Sequence, residues 1–477
     1  MTKTNKITKN YFYNLAYQLF IMLVPIITAP YLARVLGPDK QGIASYVCSV
    51  SSIISTITML GIFSYGNRQI AYERDNKEKM SQTFWEIMII RIIMALIGSV
   101  VYFAVSFEMK EFRKYFYCYY LWLLAGYIDC TWVYVGLEDM KPAVVKNFFA
   151  KVFTVLGIFL FVKEQNDLKK YIFILSLSVL IANISAYTQL KKYILKPVFN
   201  INKLFFHVKG AFHLFLPYVA TLIYLQVDKI MIGLITQMPS QISYYENAEK
   251  IVTIPLTFIT VLSTVMMPRI ANEYSKSNFN MVKKYLTKAT EISLFLAFPM
   301  CLGIMMISSK FIPWYLGKDY TPVILAIIIL APIIISNSLE GIAGKQYFTA
   351  TNQIKILMIS YISTAIINII INIALIPYYG FVGAAIATLI SSYLCIIIQY
   401  YYLTKQIKMR GIFTLSIKYG LYSLVMAIIS YMITKNLNPG IFTTSIQIFI
   451  GFTTYGIICL ILKDKNLIQI IGKFNLT

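Results

Sequence analysis

The chain has 477 residues, of which 58% are hydrophobic and only 13% charged, with a mean hydropathy of +0.67. A soluble domain carries about 25% charged residues, so this composition excludes an ordinary soluble enzyme. The formal charge of +23 does not mark a nucleic-acid binder, because the lysines and arginines lie in short runs between long apolar stretches, the pattern of a polytopic membrane protein.

About twenty apolar residues cross a bilayer as a helix. That length predicts an all-α polytopic chain with about fourteen transmembrane helices, over 11–36, 42–64, 84–106, 115–136, 144–163, 171–190, 212–236, 250–270, 288–309, 321–339, 355–376, 382–404, 414–434 and 441–462. An even count puts both termini on one side. With the N-terminus cytoplasmic, the inner loops and span ends hold 29 of the 43 basic residues and the outer ones 12. Positive charge collects on the cytoplasmic side of membrane proteins, so both termini are expected inside. The basic N-terminus is not followed by a small-residue cleavage site, and the first segment reads as a retained span.

The chain reads twice. Met267-Pro268-Arg269-Ile270-Ala271-Asn272-Glu273 after the eighth span matches Tyr65-Gly66-Asn67-Arg68-Gln69-Ile70-Ala71-Tyr72-Glu73 after the second, and Leu330-Ala331-Pro332 in the tenth matches Leu124-Ala125-Gly126 in the fourth. The offset implies six-helix bundles over 1–195 and 205–405, with two appended helices and a cytoplasmic tail over 410–477. Six is even, so both bundles enter from the same side and are related by a pseudo-two-fold axis along the membrane normal. Pro25 and Pro30 in the first helix and Pro217 in its counterpart, the seventh, are hinge candidates. Prolines at matching places in two halves point to a transport site.

Charges within spans are costly and mark function by default. Arg91 and Asp129 each lie seven residues from the inner ends of consecutive helices, about 10 Å deep, where an ion pair is expected. Asp228 and Lys229 lie in the seventh span and point about 100° apart. Arg34 sits near the outer end of the first span, where snorkelling to the headgroups is the plain alternative. Glu291 and Glu340 read as interfacial. A cavity lined by Arg34, Arg91 and Lys229, with Asp129 and Asp228 as charge partners, is mainly cationic and calls for an anionic substrate. Arginine's planar fork suits phosphate. Tyr127, Trp132 and Tyr134 on the fourth helix and Tyr218 and Tyr224 on the seventh are candidate sugar contacts, against the plain alternative of core or interfacial packing.

The six cysteines fall in apolar segments without a CxxC, and His207 and His213 lack a ligand pattern, so neither a disulfide framework nor a metal site is expected. No P-loop, G-x-S-x-G, H-E-x-x-H or D-x-D occurs, and no outer loop is long enough for a catalytic site. A cofactor-free transporter is expected, not an enzyme.

The run Tyr31-Leu32-Ala33-Arg34-Val35-Leu36-Gly37-Pro38 with Gly42, and Val227-Asp228-Lys229-Ile230-Met231-Ile232-Gly233 followed by Tyr244-Tyr245-Glu246-Asn247-Ala248, resemble polysaccharide repeat-unit flippases. These form the O-antigen and capsule branch of the multidrug/oligosaccharidyl-lipid/polysaccharide exporter superfamily. The resemblance covers essentially the whole chain. It implies two bundles that alternate between inward-open and outward-open states in a bacterial cytoplasmic membrane. It also implies an undecaprenyl-pyrophosphate-linked oligosaccharide as substrate, with Arg34, Arg91 and Lys229 on the pyrophosphate, in concert with membrane lipids and other polysaccharide assembly proteins. The alternatives are a multidrug or cation antiporter of the same superfamily, which would need acidic sites, and a membrane sugar polymerase.

Overall fold

The computed structural model describes residues 3–409, 411–464 and 466–468, and the side chains of all of these except 3–23, 213–214, 216–225 and 260–265. Among the described residues every regular element is a helix, as backbone in lipid requires when each N–H and C=O must find its partner within the segment.

The described residues make fourteen helical passes. The first two are α1 (Lys3–Met59), broken at Gly37, and its continuation α2 (Ile62–Glu73). There follow α3 (Lys77–Glu108); α4 (Arg113–Ile128) with α5 (Thr131–Gly136); α6 (Met140–Phe161); α7 (Leu168–Leu190); α8 (Leu204–Thr236); and α9 (Pro239–Ser275). Then come α10 (Phe279–Tyr315); α11 (Val323–Leu330) with α12 (Ile333–Glu340) and a π-helical turn (Gly341–Thr349); α13 (Ile354–Tyr379); α14 (Phe381–Gln406); α15 (Ile412–Thr434); and α16 (Ile441–Ile461). Ten stretches among the described residues are long and apolar enough to cross a membrane. The chain is a multi-pass membrane protein.

Local chemistry explains the ends. At the corner between the first two passes Gly37 takes φ 72°, a conformation that costs glycine little and other residues much, and Pro38 starts the next limb. Within α1 only Gly37 leaves helical dihedrals, so the helix continues through Pro25 and Pro30. Asn76 caps α3 by accepting from the Glu78 and Lys79 amides at 3.1 and 3.0 Å.

The helices form two compact units, Met1–Ile230 and Met231–Thr477. In the first, Ile62, Tyr65, Phe84, Trp132, Tyr134 and Ala211 belong to one buried core. In the second, Ile270, Leu286, Phe295, Ile342, Tyr347 and Tyr419 do the same. Large apolar side chains such as Leu96, Phe149, Phe452 and Ile461 remain exposed, as helices facing lipid tails require.

Two passes depart from the unbroken spans expected of them. The fourth is interrupted at Asp129 and Cys130, and the tenth at Ala331 and Pro332. Each break falls within a turn of the Leu-Ala-Gly or Leu-Ala-Pro run shared by the two halves. The tenth also continues to Thr349 beyond its expected end at 339. Glu340 is therefore not interfacial. It lies inside the second unit, where the Tyr361 hydroxyl donates to its carboxylate.

Candidate functional site

The polar centre of the first unit is built around the break in the fourth pass. The last four carbonyls of a helix have no partner within it, and at this depth no bulk water replaces one. Side chains from two other passes supply the donors. Asn183 Nδ2 donates to Ala125 O at 2.7 Å, Arg91 Nη2 to Gly126 O, Arg91 Nε to Tyr127 O at 2.9 Å, and the Tyr187 hydroxyl to Ile128 O at 2.7 Å. Trp132 Nε1 reaches Asp129 O at 3.2 Å.

The Asp129 side chain starts the next helix by accepting from the Thr131 amide at 3.1 Å and from the Thr131 hydroxyl. Its ion-pair partner is Lys146 of α6, at 2.6 Å, which also donates to Asn183 Oδ1 at 2.6 Å. The expected pairing of Asp129 with Arg91 is thus corrected. The guanidinium is drawn to the carbonyls that the break exposes, and the carboxylate is left to Lys146. Lys146, Asn183 and Tyr187 did not stand out in the sequence: Lys146 lay within two residues of an expected span end, and Asn183 is one of two amides in the 171–190 span.

Arg91, Gly126, Asp129 and Asn183 line a cavity of about 160 Å³ together with Trp122, Val179 and the Met59–Phe63 bend. Lys146 also borders a larger, mostly apolar cleft of about 570 Å³ between α6 and α7, with Ser178 and Ser185. The Arg91 guanidinium at the cavity, with Lys146 behind Asp129, leaves the net local charge positive, which suits an anion.

The other candidates divide clearly. Arg34 is exposed on the last turn before the Gly37 corner. Asp228 and Lys229 are buried on α8, at 2% and 8% exposure. Tyr127, Trp132 and Tyr134, read as possible sugar contacts, are instead core residues, none more than 4% exposed. The Tyr127 hydroxyl bonds Thr58 Oγ1 at 2.6 Å, Trp132 stacks on Phe84, and the Tyr134 hydroxyl donates to Ala186 O. Aromatic side chains following a helix break pack into it, which leaves no ring face for a sugar. The side chains of Pro217, Tyr218 and Tyr224 lie outside the described residues.

Residues 7–273 match the family model described as polysaccharide biosynthesis protein. The chain belongs to that family. Residues 144–451 also match the model for the lipid II flippase MurJ, and this member of the polysaccharide biosynthesis family falls within the multidrug/oligosaccharidyl-lipid/polysaccharide exporter superfamily. A curated relative, the "Putative O-antigen transporter" of Escherichia coli (strain K12), is 23% identical over 81% of this chain and 94% of its own length. Among solved structures, the lipid II flippase MurJ in an inward closed conformation superposes with a TM-score of 0.75, at 18% identity, covering 95% of this chain and 99% of its own. An inward-facing multidrug resistance MATE transporter gives 0.67 at 13% identity over 84% and 95%. At these identities the superpositions establish the fold alone.

Proposed function

We propose that this chain flips undecaprenyl-pyrophosphate-linked oligosaccharide repeat units from the inner to the outer leaflet of a bacterial cytoplasmic membrane, for capsule, O-antigen or exopolysaccharide synthesis. The observation that carries this reading is the match along 94% of the Escherichia coli relative, in a family member whose span-embedded charges are mostly cationic. Arg34, Arg91 and Lys229 hold the pyrophosphate. A guanidinium has five N–H donors, and Arg91 commits two bonds to the helix break, so donors remain for an anion in the cavity it lines.

In this reading 1–195 and 205–405 act as two rocking bundles, 410–477 is an appendage, and Pro25, Pro30 and Pro217 are hinges. Both termini are cytoplasmic, which reporter fusions at residues 1 and 477 would check. Moving one charge across 100 mV is worth about 2.3 kcal/mol. An anionic pyrophosphate leaving a negative-inside cell therefore runs downhill, and collapse of the potential slows turnover.

The deciding assay uses proteoliposomes loaded with a short lipid-pyrophosphate-linked oligosaccharide and an external glycan-modifying enzyme. Protein-dependent exposure of the glycan that falls in Arg34→Ala and Lys229→Ala supports the reading. Exposure no faster than in empty liposomes, with several glycans, removes it. The MATE-like fold favours a second reading, a multidrug or cation antiporter. That function needs acidic sites, and here the Asp129 carboxylate is already matched by Lys146. Cation-driven dye efflux in the same vesicles would reinstate it.

A further inference from the structure

His207 is one of only two histidines in the chain, and neither of its ring nitrogens is spare. Nδ1 lies 2.8 Å from the Tyr65 hydroxyl and Nε2 lies 2.8 Å from Glu86 Oε2. Glu86 Oε1 in turn accepts from the Asn200 amide at 2.9 Å and from Gln82 Nε2 at 2.8 Å. Tyr65, Glu86 and His207 are buried, with none more than 4% exposed. This single file of polar groups joins four pieces of the first unit: α2, α3, the 191–203 linker and the start of α8.

The surroundings concentrate this contact. The Ser81 hydroxyl accepts from the Leu195 amide at 2.9 Å and Trp85 Nε1 donates to Leu195 O at 3.0 Å, which lays the linker along α3. Gly210 lies so close to the Tyr65 ring that a Cβ there would strike it. The remaining charged groups that act on the Tyr65 end are Arg68, 5.7 Å from the ring centroid, and Glu73.

We propose that Glu86, His207 and Tyr65 form a proton-operated clamp on the 191–210 segment, tightened by acid and eased by alkali. Histidine is the side chain whose charge ordinarily changes in the physiological range. Neutral His207 donates from Nε2 to Glu86 and accepts at Nδ1 from the Tyr65 hydroxyl. When protonated it donates from both nitrogens. The Tyr65 proton turns away, and the bond to Glu86, already assisted by the carboxylate's charge, becomes an ion pair inside a buried site. The proton therefore sets how firmly the start of α8, the helix that carries the chain out of the first unit, is held to α2 and α3.

The test uses the full chain in nanodiscs. Ring-labelled NMR gives two histidine resonances, and the one missing from His207→Gln belongs to His207: its nitrogen shifts should differ between pH 6 and pH 8. Hydrogen-exchange protection factors of 196–207, corrected for intrinsic rates, should rise about five- to tenfold from pH 8 to pH 6. His207→Gln keeps a donor for Glu86 but cannot take up the proton, so its protection should be flat with pH while the rest of the chain exchanges as before. His207 nitrogen shifts that are the same at pH 6 and pH 8 overturn the clamp, as does the same pH slope of protection in wild type and His207→Gln.

Discussion

Lys146 Nζ lies 2.6 Å from Asp129 Oδ1, and this contact balances the one carboxylate at the broken fourth pass. The lysine side chain is almost fully buried, at 4% exposure, so its charge has no water as a ready substitute. Removing one partner of such a pair costs about 3–5 kcal/mol, whereas removing both can be nearly neutral. Lys146→Met should therefore lower thermal stability in detergent sharply, and Asp129→Asn added to it should restore most of the loss. Additive losses in this double-mutant cycle would mean that the pair is not coupled.

Arg91 has a second duty, as donor to Gly126 O and Tyr127 O. Arg91→Ala should cost about 1–3 kcal/mol of stability, because Tyr127 O loses its donor and Gly126 O keeps only the Asp129 amide at 3.3 Å. Arg34→Ala changes an exposed residue and should leave the melting temperature within a degree or two while still reducing glycan exposure. Equal melting losses in the two variants would show that the distinction between framework and ligand cation is misplaced.

Gly98 sits against the Tyr127 hydroxyl and the Thr58 methyl, where a Cβ has no room. Gly98→Ala should destabilise by about 1–3 kcal/mol through overpacking. Tyr127→Phe removes the colliding oxygen and should recover part of that loss in the double variant, at the expense of the 2.6 Å bond to Thr58. Thermal melting of the four proteins checks this.

Beyond α16 the chain folds back onto the second unit. Lys418 Nζ donates to Asp464 Oδ2 at 2.5 Å, the Asn466 amide to Oδ1 at 2.9 Å, and Lys288 Nζ to Asn466 Oδ1 at 2.7 Å. Burial pushes the Asp464 carboxyl up, but Lys418 and the Asn466 amide outweigh it and hold it below the ordinary aspartate range. A depressed carboxyl contributes stability above its unfolded value, and loses it as pH falls through the folded one. The staple should be complete at neutral pH and should open below about pH 4. A nitroxide on Ile468→Cys, in a background lacking the native cysteines, should gain mobility at low pH, and Asp464→Asn should show that mobility already at pH 7.

The number and order of passes were legible because length and apolarity alone decide them. Spans expected at 144–163 and 171–190 correspond to Met140–Phe161 and Leu168–Leu190. The breaks were not legible as breaks. Gly126 and Pro332 stood out only as matched residues, because an interrupted helix keeps the composition of a whole one. Arg91 and Asp129 stood out as charges on consecutive passes, but their partners were misjudged. The two line one cavity, but which donor meets which acceptor depended on four carbonyls that no side-chain inventory counts. The aromatic residues failed for the same reason: Trp132 and Tyr134 fill the space that the interruption opens.

Those four carbonyls have a consequence for how this family can vary. Asn183, Arg91 and Tyr187 act together as one plug for one gap, so none can be lost alone without an orphaned acceptor in lipid. A relative that heals the fourth helix into a straight rod is released from all three at once, and with them from Lys146, whose ion-pair partner is the aspartate at the break. Aligned relatives should therefore fall into two groups, with these positions changing as a block and few chains caught between.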